Sequence, residues 1–520
     1  LTVDPSFQYV LANGGGTTTI SETDARLKGT SVAAGVDLNG DGDAALPNDT
    51  IRLYRPSNTN TRRFGVNSSL IADINENHRF RVAYTVDYGQ HRQTGEFGFL
   101  GGLGGPQSIW GGKDGHGTKV ATADGSFLRN RDRYSVAELN QISADYRGQF
   151  FDDNLTLLAG VRAPFFYRRL HQFCYTQNGN GAAGGVYCTT QVPSVVTPSG
   201  LVQFTTATGF AAGTNFVRPF RLNKKYDDVL PNVSLSYRLL SNNLLFVNYA
   251  ENFSAPRTDN LYAPFIDPVS INGAIQLPGV QPETSKVYDA GWRYQGDNLI
   301  TSIDVWKTTF QNRVVSSFDQ ALGITIDRNI GNVDIWGVDF EAGWEAFEGF
   351  NMYASASYNH SEVKKNLPTS TIVVGVQQYL PTAGKKLVET PDWTVGGRVQ
   401  YDFRGFLSGL QAGVQGKYVG DRFTTDVNDD KTPSYTVLDA NLRYDLGVLG
   451  HKGSFARLNV TNLLDEDYLG SISSQNQAHP VTLVGPTGTP GPVQNASLGG
   501  LPTFAIGGPR TITFTVGVDL

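Results

Sequence analysis

The residues best suited to chemistry begin with one acidic run, Asp37-Leu38-Asn39-Gly40-Asp41-Gly42-Asp43. Oxygen-bearing side chains at alternate positions can converge on one hard cation, and Gly at the sixth place permits the sharp turn of a calcium loop. The twelfth place holds Asn48 where a bidentate Glu would complete such a loop, and Asp49 comes one residue late. Asp37, Asn39, Asp41 and Asp43 are therefore candidate Ca²⁺ ligands, with a solvated acidic loop as the competing reading. A second run, Asp426-Val427-Asn428-Asp429-Asp430, is a weaker echo and reads as polar loop.

Other reactive side chains give less. The histidines are His78, His91, His116, His171, His360, His451 and His479, and none forms an H-E-x-x-H pair or comparable ligand spacing. No G-x-S-x-G elbow is present, and the Gly-rich runs Gly101–Gly105 and Gly179–Gly185 do not join a strand to a helix. Nothing supports an enzyme. Cys174 and Cys188 lie close together in a Gly/Thr-rich segment. A loop disulfide formed in an oxidising compartment is one reading, and two unrelated free thiols are the other.

Aromatic residues and Arg concentrate between the patterned segments. Trp110, Arg129, Arg131, Tyr175, Arg257 and Tyr262 are the candidate ligand contacts, joined by His91 from a patterned segment. Ligand sites combine apolar walls with a few placed polar groups, and Arg suits a carboxylate-bearing or otherwise anionic chelate. Ordinary loop packing is the alternative for each of them.

The elements that must position these residues show period-two alternation from end to end. Phe80, Val82, Tyr84, Val86 and Tyr88 oppose Arg81, Thr85, Asp87 and His91; Ile512, Phe514, Val516 and Val518 oppose Thr511, Thr513, Thr515 and Asp519. Alternation fits any half-buried strand. These segments run about 10–15 residues, against about five or six for strands of soluble proteins. A tilted strand crossing hydrocarbon needs roughly 9–11. The connections also alternate: tight polar turns such as Asn75–Asn77, Ser241–Asn243 and Gly296–Asn298, then long segments such as Gly98–Arg133, His171–Tyr226 and Gly470–Gly508. Transmembrane barrels have short turns at one end and long loops at the other. The pattern predicts an all-β, antiparallel transmembrane β-barrel with about sixteen strands in this chain. A hairpin within the first long loop, about 13–61, and a strand from Ile324 are further expectations. A soluble all-β protein is the rival class.

A formal charge of −6 gives no support to nucleic-acid binding, which wants a basic face. No apolar stretch is long enough for a transmembrane helix, and no signal peptide is visible. The chain starts at Leu1 and its one Met is Met352, so a longer parent protein is expected.

Four motifs carry a family resemblance. Asn459-Val460-Thr461-Asn462-Leu463-Leu464-Asp465-Glu466-Asp467-Tyr468 resembles the penultimate barrel strand of TonB-dependent receptors. Tyr249-Ala250-Glu251-Asn252-Phe253-Ser254-Ala255-Pro256 is similar to that family's "Y-x-x-G-F-x-A-P" strand exit, and Gln281-Pro282-Glu283-Thr284-Ser285 to its "P-E-x-S/T" entry. Asn329-Ile330-Gly331 through Gly337-Val338-Asp339-Phe340 resembles its "N-x-G … G-V/I-E-x-E" strand, with Asp339 in place of Glu. Together they cover roughly residues 226–520.

The resemblance implies one barrel domain over 1–520 in the bacterial outer membrane, belonging to a 22-strand barrel of which about six strands and the N-terminal plug lie outside this sequence. A closed sixteen-stranded porin is the alternative. It further implies a monomer that takes up a scarce ligand, a ferric siderophore or other metal chelate before an oligosaccharide, with energy from the TonB–ExbB–ExbD complex acting on the plug. Lipopolysaccharide and other outer-membrane lipid would be its surroundings. A passive porin-like channel and an adhesive barrel remain as other classes.

Overall fold

In a computed structural model the chain is built almost wholly from antiparallel strands. All residues are described except 25–26, 28–35, 44–48, 109–117, 123–124, 178–187, 190–191, 198–199, 205–215, 263–264, 267–274, 277–279, 320–323, 330, 451–452, 497–499 and 520. The main sheet takes its strands in chain order. They are Thr2–Asn13, Asn58–Asn75, His78–Glu96, Arg129–Phe150, Leu155–Gln172, the pair Phe220–Asp227 and Leu230–Leu240, Asn243–Ser254, Glu283–Gln295 and Leu299–Gln311. Val333–Phe347, Phe350–Val363, Trp393–Asp402, Leu410–Val419, Tyr435–Asp445, Phe455–Thr461 and Thr511–Gly517 follow. Each pairs with the next in an antiparallel register.

The alternation sorts the side chains onto two faces. Phe64, Leu70, Phe80, Val82, Tyr84, Leu235, Val247, Val305, Phe340 and Phe514 stand on one face, and all are exposed. No protein layer covers that face, which is what a lipid-facing wall requires. Rings pair across strands along its upper and lower margins. Tyr249 meets Tyr288 at 5.0 Å, Tyr358 meets Trp393 at 5.0 Å, and near the short turns Phe347 meets Phe350 at 4.8 Å. The other face carries Arg63, Arg81, Asp87 and Asp145, with Arg81 and Asp145 paired at 2.8 Å.

A wall with lipid on one side and polar groups on the other leaves no place for an apolar core. Among the described residues the four buried apolar clusters accordingly lie in the long loops and the strand ends that carry them. One joins Ile20, Leu27, Leu53, Phe97, Val120 and Leu128, and another joins Leu170, Leu261, Tyr262 and Val280. The hairpin expected in the first long loop is present, pairing Gly16–Ser21 with Thr50–Arg55.

The strand expected from Ile324 departs furthest from its expected start, where others, such as Arg129–Phe150, shift by a few residues. Ile324–Asn329 pairs with Val314–Asp319 as a hairpin off the main sheet, and the wall strand starts at Val333. The break has a local cause. Asn329 is held by Gln281 and Asn312, its Oδ1 accepting the Gln281 N–H at 2.9 Å, and Gly331 adopts φ +85°. Alternation continues through the break, so periodicity alone runs the two strands together. Gly331→Ala should cost about 1–2 kcal/mol, because a Cβ is disfavoured at left-handed φ. Gly343→Ala, in extended backbone with open space around it, is the control expected to stay within about 0.5 kcal/mol. Denaturant unfolding of the two variants in detergent checks this, and equal stabilities would show that the turn does not need its glycine.

Candidate functional site

His91 stands near the outer end of the strand His78–Glu96, on the polar register with Asp87. Its Nδ1 hydrogen-bonds Thr61 Oγ1 across the sheet at 2.6 Å. Arg63, two residues from Thr61, donates its Nε to both Asp87 carboxylate oxygens at 2.8 and 2.7 Å. With Leu139, Phe166, Arg168 and Thr258 these residues line a hollow of about 270 Å³. Arg168 lies over the Phe166 ring at 5.2 Å and donates its Nε to the Pro256 carbonyl at 3.2 Å, fixing the start of the loop above. The hollow thus sets one apolar wall, Leu139 and Phe166, against Arg168 and the Arg63–Asp87 ion pair.

Further out, Arg131 and Arg133 are both within electrostatic reach of His91. Arg133 is spoken for: it stacks on the Tyr262 ring at 4.4 Å and donates to Asp259 Oδ1 at 2.6 Å. Arg131 makes no hydrogen bond or ion pair within the described residues, although Asp259 and Arg55 act on it at longer range. Arg129, two residues away, is different. It bridges Glu96 at 3.4 Å and Asp132 at 2.5 Å, while Lys119 reaches Glu96 and Arg92 reaches Asp132. Glu96 and Asp132 are almost wholly buried, so this network holds the strand ends together and engages the Arg129 guanidinium within the protein.

On other strands of the polar face Asp304 pairs in register with Asp339, and Asp339 Oδ2 accepts the Trp306 Nε1–H at 2.7 Å. Asn248 donates to Asp289 in the same region.

The remaining candidates fall in several places. Tyr262 is buried, and its hydroxyl is fully engaged: it donates to the Tyr134 carbonyl at 2.9 Å, accepts the His171 N–H at 3.1 Å and meets Ser135 Oγ at 3.0 Å. Tyr175 packs edge-on to Phe204 at 5.7 Å within a loop cluster. Arg257 is exposed on the loop after Pro256. Trp110 lies outside the described residues. Cys174 and Cys188 form a disulfide with Cα atoms 5.2 Å apart, which removes the free-thiol reading. A closed loop of this length contributes roughly 3 kcal/mol by the chain-entropy account. Asp37, Asn39, Asp41 and Asp43 form one exposed turn closed by their own side chains; Asp37 accepts the N–H groups of Gly40 and Gly42 at 2.6 and 3.0 Å.

Thr61, Arg63, Phe166 and Arg168 were not singled out from the sequence. Their alternation marks them as polar-face residues, but only the pairing of three strands brings them beside His91.

Comparison with known proteins places this geometry. A family model described as "TonB dependent receptor-like, beta-barrel" matches residues 2–463. The ferrioxamine B receptor of Salmonella typhimurium is 28% identical over 198 residues, 38% of this chain and 26% of that one. The ferrichrome outer membrane transporter/phage receptor of Escherichia coli K12 is 29% identical over 192 residues, 36% and 24% of the two chains. The crystal structure of the ferric yersiniabactin uptake receptor of Yersinia pestis superposes with a TM-score of 0.57 at 13% identity, covering 91% of this chain and 56% of that one. The matched part thus spans about a quarter of the curated relatives and 56% of the solved structure.

Proposed function

Because this chain belongs to the TonB dependent receptor-like β-barrel family, we propose that it forms wall and outer loops of a receptor that takes up a ferric siderophore or related metal chelate. The bacterial outer membrane is its location, and the exposed apolar face is the surface that meets lipid. The receptors named for ferrioxamine B and ferrichrome support the choice of ferric chelate. The observation that carries the reading is the hollow at His91, Arg63 and Arg168 with Arg131 unpaired above it. A site with cationic groups and one aromatic wall suits a compact chelate that keeps negative charge.

In this scheme the ligand enters through the long loops and settles at the hollow between Arg131 and Arg168. The TonB–ExbB–ExbD complex supplies the energy for its passage. Lipid contact has its own support. Arg62, Arg169, Arg221 and Lys225 share the apolar-face register at the long-loop end, where outer-leaflet phosphates would lie, and Lys225 Nζ sits 5.3 Å from the Tyr167 ring.

Uptake of radioiron by iron-starved cells is expected to require the gene and to stop when a protonophore collapses the proton-motive force. Large passive conductance in planar bilayers, or uptake indifferent to the protonophore, would replace the reading with a porin. Binding should depend on Arg131: Arg131→Gln should weaken a carboxylate-bearing ferric chelate by roughly tenfold, the scale of one charge-assisted hydrogen bond. Arg129→Gln should instead lower the melting temperature and leave affinity nearly unchanged. Equal loss of affinity in both variants would mean that charge alone, and not Arg131 in its place, matters.

A further inference from the structure

The acidic run in the first long loop meets two carboxylates that the sequence pattern does not include. Glu22 follows the hairpin strand Gly16–Ser21 and Asp49 precedes its partner Thr50–Arg55, so the two face each other at the end of the hairpin where the connecting loop leaves and returns. The Glu22 N–H donates to the Asp49 carbonyl at 3.0 Å. Glu22 is completely buried beside the apolar cluster of Ile20, Leu53 and Phe97. Its Oε1 accepts the N–H groups of Leu38 and Asn39 at 2.6 and 2.8 Å, which draws the acidic run back over the hairpin. Its Oε2 is shut off from solvent with no hydrogen-bond partner among the described residues, and so is Asp49 Oδ2. Carboxylate oxygens of Glu22, Asp41 and Asp49 lie within 4.8 Å of one another.

Three carboxylates this close repel one another, and a buried carboxylate without a partner is costly unless a cation or proton joins it. Among the described residues, burial and the like charges of Asp41, Asp43, Glu22 and Asp37 push the Asp49 carboxyl above its ordinary range.

We propose that Glu22, Asp41 and Asp49 bind one calcium ion. The donor set is all oxygen, with no His or Cys, which selects a hard cation. Carboxylates offered from three separate points on an irregular loop suit the flexible coordination of Ca²⁺ better than the strict octahedron of Mg²⁺. Asp41 is the one member of the sequence motif that joins the set. Asp37 lies outside the set and shapes the turn through Gly40 and Gly42, while Asp41, whose oxygens accept from the Asn39 amide and the Asp43 N–H, has lone pairs left for an ion. The ion ties the acidic run to a hairpin whose apolar cluster includes Phe97 and Leu128, the neighbours of Glu96 and Arg129. Calcium therefore braces the strand ends from which Arg131 projects.

Only the extracellular placement of the site rests on the receptor reading; the binding chemistry does not. The test is calcium titration of the full receptor in detergent, stripped with EDTA and free of any iron chelate, by calorimetry and thermal melting. One ion should bind with a dissociation constant of roughly 10⁻⁵–10⁻³ M and raise the melting temperature, while Mg²⁺ at the same concentration does little. Glu22→Gln keeps an oxygen for Leu38 and Asn39, and Asp41 is exposed, so Glu22→Gln and Asp41→Asn should both fold in EDTA. Each should weaken calcium by about tenfold or more, whereas Asp43→Asn should change it less than about threefold. No heat with identical melting in calcium and EDTA overturns the proposal. So does wild-type affinity in Glu22→Gln, or loss on Asp43→Asn with Glu22→Gln intact, which would put the ion in the 37–43 run alone.

Discussion

Tyr262→Ala is expected to loosen the loop after residue 255 by about 3–5 kcal/mol, the cost of truncating a buried aromatic residue. The ring packs with Leu170, Leu261 and Val280, meets Phe220 at 6.0 Å and carries the Arg133 guanidinium at 4.4 Å. Its hydroxyl joins three groups at the ends of neighbouring strands, the Tyr134 carbonyl, the Ser135 hydroxyl and the His171 N–H. Tyr262→Phe keeps the ring and orphans those groups, so it should cost only about 1–2 kcal/mol. Hydrogen exchange over residues 255–262 reads the local opening, and unchanged protection in Tyr262→Ala would refute the pinning role. Ligand affinity separates two roles for this residue. If the tyrosine acts by holding the loop, Tyr262→Phe retains most of the binding that Tyr262→Ala loses. Equal losses would show that the hydroxyl touches the ligand itself.

That contrast marks where the sequence stops being informative. The wall was legible because its period is two and its short turns are dense in Asn, Asp and Gly, so Phe80 to Tyr88 could be set on one face and Asp87 with His91 on the other. The loops have no period. Nothing in the local sequence says that Leu170, Leu261 and Val280 meet, because they come from three segments brought together only by the tertiary fold. Arg129 and Arg131 look interchangeable on paper, two basic residues in one strand. A register shift between Thr94 and Glu96, where Thr94 faces Asp132 but Glu96 faces Arg129, turns the first into an ion-pair network and leaves the second without a bond. The acidic run was visible for the same reason the wall was, as a regular spacing. Glu22 was not, and Asp49 showed only as a carboxylate one residue past its expected place, since the hairpin that brings them together is a tertiary fact.

The division into faces makes a strong demand one residue wide. Arg81 stands on the polar face, paired with Asp145 at 2.8 Å and largely exposed. Val82 stands on the other face between Phe80 and Tyr84, aligned with Leu70 on one side and Ala144 on the other. Shifting an Arg from 81 to 82 moves its charge from a wet interior to hydrocarbon, because alternate residues of a strand point to opposite faces. Val82→Arg should therefore destabilise the protein in a bilayer by about 2–4 kcal/mol near the midplane. Arg81→Val removes only a solvent-exposed ion pair and should cost less than about 1 kcal/mol. Reversible unfolding in phospholipid vesicles measures both. Lipid is the decisive ingredient, since an Arg at 82 in detergent can reach water around the micelle edge. Equal stabilities of the two variants in vesicles would mean that the Phe80–Tyr84 row does not face lipid, and the receptor reading would lose its topology. A large penalty confined to position 82 leaves the polar face, with His91, Arg63 and Arg168, as the surface available to a passing ligand.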